Sequence, residues 1–178
     1  MMLGLIHYRA PGENAEDFVR WAAGAGFECV ELRCNDLMPD EMPEADYESH
    51  CKDLKALMDE LGLVASGVSL GNDFVYLADD MIQEQVARTA KIAKLTRMMD
   101  CSVFRTEGGR PKDEVPEEQY AEAIIKCVRA TLPVCEDFGV HLAIDNHGVV
   151  SNNYELQLEV FETVDSEYVG SNMDTMNY

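Results

Sequence analysis

The chain has 178 residues, 47% hydrophobic and 27% charged, an ordinary globular composition at the length of one domain. Its 14 Lys and Arg stand against 34 Asp and Glu, a formal net charge of −20, and such a surface repels phosphate backbones. Nucleic acid and anionic membrane are therefore excluded as partners. The first eleven residues carry no basic leader, and no apolar run reaches the ~18 residues of a membrane span, so a cytoplasmic chain is expected.

Short apolar runs alternate with longer amphipathic stretches, the pattern of βα units around a parallel sheet. In chain order, Leu3 to Ile6 reads as a first strand, and Asn14 caps a helix through Trp21 to Ala25 that ends at Gly26. Cys29 to Leu32 is the second strand, followed by a polar loop with Pro39 and Pro43. A helix then runs from about Asp46 to Leu61 and stops at Gly62.

Val64 to Val68 is the third strand, and a helix from Met81 to about Met99 follows. Ser102 to Arg105 is the fourth. Pro116 opens a long helix to Phe138, which Pro133 is expected to kink or interrupt. Gly139 leads into a fifth strand, His141 to Ile144; Tyr154 to Val164 forms a shorter helix, and Val169 to Met173 is the sixth strand. The expectation is an α/β domain over residues 1–178 with about six strands and five helices.

The cysteines at 29, 34, 51, 101, 127 and 135 form no CxxC pair and no zinc-like cluster with histidine. They read as reduced thiols packed as small hydrophobes.

In parallel α/β folds the C-terminal strand ends and their loops make the ligand face. The polar residues there are His7 after strand one, Glu31 at strand two, Ser69 and Asn72 after strand three, and Arg105 and Glu107 at strand four. Asp145-Asn146-His147-Gly148 follows strand five, and Asp174-Thr175-Met176-Asn177 follows strand six. Carboxylates from adjacent strand ends with an imidazole nearby suit a divalent cation such as Mg, Mn, Co or Zn. Any one acid can equally be a loop or capping residue bonded to backbone amides. His50, mid-helix, reads as a surface residue, and His141 begins a strand at the end away from the chemistry.

Two segments, Leu142-Ala143-Ile144-Asp145-Asn146-His147-Gly148 and Met173-Asp174-Thr175-Met176-Asn177, resemble the fifth- and sixth-strand motifs of the xylose-isomerase-like barrel superfamily. The stretches Gly26 to Leu32 and Leu61 to Gly67 are similar to its second and third strands. The resemblance implies a (β/α)8-type TIM barrel, incomplete here, because the family's strand-seven histidine and strand-eight glutamate ligands would lie beyond Tyr178. It implies a metal-dependent isomerase or epimerase acting on a sugar or sugar phosphate, with proton transfer through an enediolate.

In that reading Asp145, standing where the family has glutamate, is a metal ligand and a catalytic base. Asp174 is the second ligand, and His147, Asn177, Arg105 and Glu31 orient substrate hydroxyls; His7, by its place after strand one, is a further substrate-contact candidate. An incomplete barrel leaves its first and last strands as edges, so self-association is expected. The rival readings are a non-catalytic module of the same fold, an endonuclease-IV-like repair enzyme, which the charge disfavours, and an open doubly wound domain. The last lacks a glycine-rich phosphate loop after strand one.

Overall fold

A computed structural model describes residues 2–177, leaving the two ends of the expected domain, Met1 and Tyr178, outside the described residues. Six strands alternate with helices: β1 Gly4–Ile6, β2 Cys29–Arg33, β3 Val64–Ser69, β4 Val103–Glu107, β5 His141–Asp145 and β6 Val169–Asn172. The strand order in the sheet is β1-β2-β3-β4-β5-β6. β2 pairs in parallel with both β1 and β3, and the order runs on to β6 without a reversal, whereas a doubly wound sheet reverses its strand order at a switch point. The architecture is that of a (β/α)8-type barrel, with six of its strands in this chain.

Seven α-helices occur among the described residues: α1 Ala15–Gly24, α2 Cys34–Leu37, α3 Tyr47–Leu61, α4 Asp79–Met98, α5 Tyr120–Phe138, α6 Gly148–Ser151 and α7 Tyr154–Val164. The five expected from sequence are all present. The two additions, α2 and α6, are single turns of four residues, too short to show a hydrophobic period. Pro116 does not enter α5 directly: it precedes a 3-10 turn, Glu117–Gln119, that leads into the helix.

Pro133 does not interrupt α5, one of the two outcomes expected of it. The helix buries Ala123, Ile124, Cys127, Val128 and Thr131 before the proline and Cys135 after it, and burial on both sides holds the chain helical through a residue that cannot donate its backbone bond. Gly139 then closes the helix at φ 60°, its N–H reaching the carbonyls of Cys135 and Glu136, a left-handed cap that costs glycine nothing.

The chain packs as two compact units, one running to Ser69 with Lys94–Val103, the other Leu70–Ala93 with Phe104 onward. In the first, α1 starts where the Asn14 side chain accepts the Asp17 amide at 2.9 Å, a cap worth about 1 kcal/mol. Its inner face buries Phe18, Val19 and Ala22, joined in this unit's core by Val30, Leu32, Leu54 and Val68.

In the second unit Phe74, Phe104, Ile124 and Leu142 are fully buried. Asp145 is in register with Asn172 across β5 and β6, and this places the fifth-strand acid beside the sixth strand's polar end.

All six cysteines are free and buried. Burial pushes the Cys51 thiol up to about 12, with Glu48 adding to it, and the Cys127 and Cys135 thiols up to about 11, against an ordinary 9.0. The fold thus favours the protonated thiol, so stability is constant below the unfolded value and falls as pH rises from about 9 toward 11, where the unfolded chain ionises first. A thermal midpoint that drops steadily over that interval, with iodoacetamide labelling only after denaturant, is the expected result; ready labelling of the native chain contradicts it.

Candidate functional site

The ends of β4, β5 and β6 bring one acid-rich group together in the second unit. Asp145 ends β5 at 1% exposure. Its Oδ2 accepts from Arg105 Nη1 at 2.8 Å, and its Oδ1 accepts from Asn172 Nδ2 at 2.8 Å. An ionised carboxylate has about four acceptor positions, so each oxygen keeps one after these bonds. A buried charge needs such partners, since an isolated carboxylate out of water is strongly disfavoured.

Asn146 ties the β5 end to the β6 end. Its Oδ1 accepts the Asp174 amide at 2.7 Å and its Nδ2 donates to the Asp174 carbonyl at 2.9 Å. Asp174 in turn accepts from the Met176 amide at 2.8 Å and from Asn177 Nδ2 at 3.1 Å. The same Asn177 amide lies 3.2 Å from His147 Nδ1, and because an amide nitrogen only donates, the imidazole proton belongs on Nε2. That Nε2 faces Glu107 Oε1 at 3.9 Å, both side chains being well exposed. Arg105, Glu107, Asp145, His147, Asp174 and Asn177, all singled out from sequence, thus fall into two connected networks.

Asn172 was not singled out, and Asn146, named at the end of strand five, was given no role. The signal for Asn172 was available: it lies two residues before Asp174, on the strand that alternation pairs with β5. Asn146 is a polar residue at 1% exposure, and only the contact with Asp174 reveals its role.

Glu31 and His7 lie in the first unit. Glu31 is inside β2, in register with Ile6 and Gly67 rather than beyond the strand, and its charge helps raise the Cys101 thiol, whose main cause is burial. His7 is at 7% exposure just after β1, its ring stacked on Phe18 at 4.2 Å and its Nδ1 2.7 Å from Asp36 Oδ1. His50 departs from the surface reading: its side chain is 10% exposed and Nε2 donates to the Asp36 carbonyl at 2.8 Å.

Among the described residues no group of three or more His, Cys, Asp and Glu stands ready to hold a metal ion. The donors present also fit a cation poorly: Asp145 already faces the Arg105 guanidinium, a positive charge that competes with one. These residues alone do not make a metal shell. Likewise, among the described residues no helix is long and apolar enough to cross a membrane.

The family model described as "Xylose isomerase-like TIM barrel" matches residues 19–178. No curated protein matches the chain. Among solved structures, the chain is similar to D-psicose 3-epimerase from Clostridium cellulolyticum H10, at 16% identity and a TM-score of 0.81 over 99% of this chain and 64% of that one. The probable 3-DHS dehydratase of petrobactin synthesis from Bacillus anthracis gives 20% and 0.79 over 99% and 64%. The 3-keto-D-glucoside 4-epimerase of E. coli gives 12% and 0.78 over 99% and 69%. This chain therefore spans about 64% of the length of the first two, and at these identities the likeness concerns fold. The match over residues 19–178, with six parallel βα strands in sequential order, places the chain in the xylose isomerase-like TIM barrel family.

Proposed function

We propose that the chain serves isomerisation or epimerisation of a sugar or sugar phosphate, moving a proton at a carbon beside a carbonyl. The observation that carries this reading is Asp145, a carboxylate at 1% exposure, held at the ligand end of β5 by Arg105 and Asn172. A fixed carboxylate can take a proton, and a guanidinium beside it can stabilise negative charge growing on an enediolate oxygen. The networks around Asp174, Asn177 and His147 would orient substrate hydroxyls, which are donors and acceptors at once.

A divalent cation is the part of the proposal that these residues fit least: Asp145 and Asp174 would be two of its oxygen ligands only with further donors and against the Arg105 charge, and no step above depends on it. Loss of bound metal on Asp174→Ala supports that part, and unchanged metal content, measured on the purified chain by mass spectrometry, contradicts it. A cytoplasmic chain that self-associates completes the reading.

The test is incubation of the full chain with D-fructose, D-tagatose and their phosphates in heavy water. Exchange of the hydrogen beside the carbonyl, followed by proton NMR, is expected for at least one of them; none for any would overturn the proposal. One observation favours a second reading, a non-catalytic sugar-binding module: every carboxylate oxygen of Asp145 and Asp174 is already bonded within the protein. Ketose binding without exchange would select it.

A further inference from the structure

In the second unit the ends of β4 and β5 are joined from behind by a hydroxyl that the reading above leaves unused. Ser151 lies in the single turn α6 and is fully buried, at 0% exposure. Its Oγ donates to the His147 carbonyl at 2.8 Å and accepts the Gly108 amide at 3.2 Å. The first bond is the ordinary back-bond of a serine to the carbonyl four residues earlier, which a helical turn makes for itself. The second is not local: it spans 43 positions and reaches the residue that follows β4.

Gly108 is buried, and a buried N–H without a partner is strongly disfavoured; Ser151 Oγ supplies the acceptor. The approach is close, since a Cβ added at Gly108 would lie 2.9 Å from Ser151 Cβ. Ser151 is held in turn by Gln157, 6% exposed, whose Nε2 donates to the Ser151 carbonyl at 2.7 Å and whose Oε1 accepts from Ser171 Oγ of β6 at 3.1 Å.

A hydroxyl has one proton to give and lone pairs to receive. Here the proton goes to His147 and a lone pair to Gly108, so one oxygen fixes the backbone beside Glu107 and the backbone of His147. Those two side chains face each other at the ligand end, Glu107 Oε1 3.9 Å from His147 Nε2, 39% and 49% exposed. Side chains so open to water are held mainly from the backbone beneath them.

We propose that Ser151 is a positioning residue that sets the spacing of Glu107 from His147, and through it the orientation of substrate hydroxyls at the ends of β4 and β5. The substrate part rests on the sugar chemistry proposed above; the spacing does not. At 0% exposure Ser151 acts only through these two residues.

Three measurements on the full chain test it. In the wild type the Gly108 amide is expected to resist hydrogen exchange although it lies past the strand end; exchange at the rate of an open loop overturns the proposal without any variant. At one fixed pH, Glu107→Gln should shift the NMR signals of the His147 ring in the wild-type background and leave them nearly unmoved when Ser151→Ala is also present. Gly108→Ala, which crowds the hydroxyl from the other side, should act as Ser151→Ala does and replaces it if that variant fails to fold. An equal His147 response in both backgrounds overturns the proposal, because a merely stabilising serine would leave that response intact.

With D-fructose or D-tagatose as the exchanging ketose, Ser151→Ala should raise KM about five- to tenfold, the loss of one hydrogen bond to substrate, with turnover at saturation nearly kept. A purely structural role would lower turnover with the folded fraction and leave KM unchanged, and that result overturns the substrate part. Absence of exchange in the wild type defeats the sugar chemistry, while the His147 response still decides the spacing, so the two failures are told apart.

Discussion

Replacing Arg105 by alanine is expected to destabilise the chain by about 3 to 5 kcal/mol, the cost of stranding a buried carboxylate. The side chains of Arg105 and Asp145 are 19% and 2% exposed at 2.8 Å, so Asp145 cannot recover its lost partner from bulk water. Among the described residues Asn172 would remain as a side-chain donor to it. The double change Arg105→Met with Asp145→Leu should recover part of the loss, because it removes the stranded charge but leaves the Asn172 amide without its acceptor. Urea unfolding of the two variants measures this. A loss under about 1 kcal/mol for Arg105→Ala would mean that the pair behaves as an exposed surface ion pair, and the buried carboxylate would lose its significance.

Gly109→Ala should be nearly as damaging, at about 2 to 4 kcal/mol from backbone strain and overpacking combined. Gly109 adopts φ +130°, and an added Cβ would lie 2.5 Å from Asp73 Oδ1, 2.7 Å from Val75 Cγ2 and 2.9 Å from the Val75 amide nitrogen. Those are the atoms that fasten the 70–78 segment. Asp73 Oδ1 accepts the Val75 amide at 3.0 Å and meets Lys112 Nζ at 2.6 Å. The same Lys112 ammonium sits 4.2 Å from the centre of the Tyr76 ring, a cation over an aromatic face.

Of the three atoms the alanine methyl would meet, the Val75 amide nitrogen is backbone and cannot swing aside as a side chain can. A thermal midpoint lowered by roughly 5 to 15 °C, with faster amide exchange confined to residues 70–78, is the expected signature; a midpoint within about 1 °C of wild type contradicts it.

The succession of strands and helices was legible because it rests on periodicity and punctuation, while the barrel order of the strands came from the family resemblance. Asn14, Gly62 and Gly139 mark helix ends by residue type alone, and each occupies the cap that its chemistry suits. The contacts that complete the site were not legible, because they depend on which distant residue supplies the second half of a bond. Asp36 looks like one more loop acid until β1 places His7 against it, 29 residues away. His50 sits in a helix whose exposed face is charged, and the α2 turn is what draws its ring to the Asp36 carbonyl.

Glu31 illustrates the opposite error. The strand continues two residues past it to Arg33, so a residue taken for the strand's end is in its middle. Pro133 shows tertiary burial outweighing a local rule, since the apolar face of α5 runs on past it to Cys135.

Asp145 carries the functional account, and the measurement that tests it most directly is the rate of hydrogen exchange beside the carbonyl of a ketose, in heavy water, for the wild-type chain and Asp145→Asn. The substitution keeps the size of the side chain and its bond to one neighbour while removing the base, and circular dichroism establishes that the variant is folded. A fall of about a hundredfold or more is predicted, the usual contribution of a positioned general base. Equal exchange rates in the two folded proteins would contradict the claim that the carboxylate at the end of β5 handles the proton.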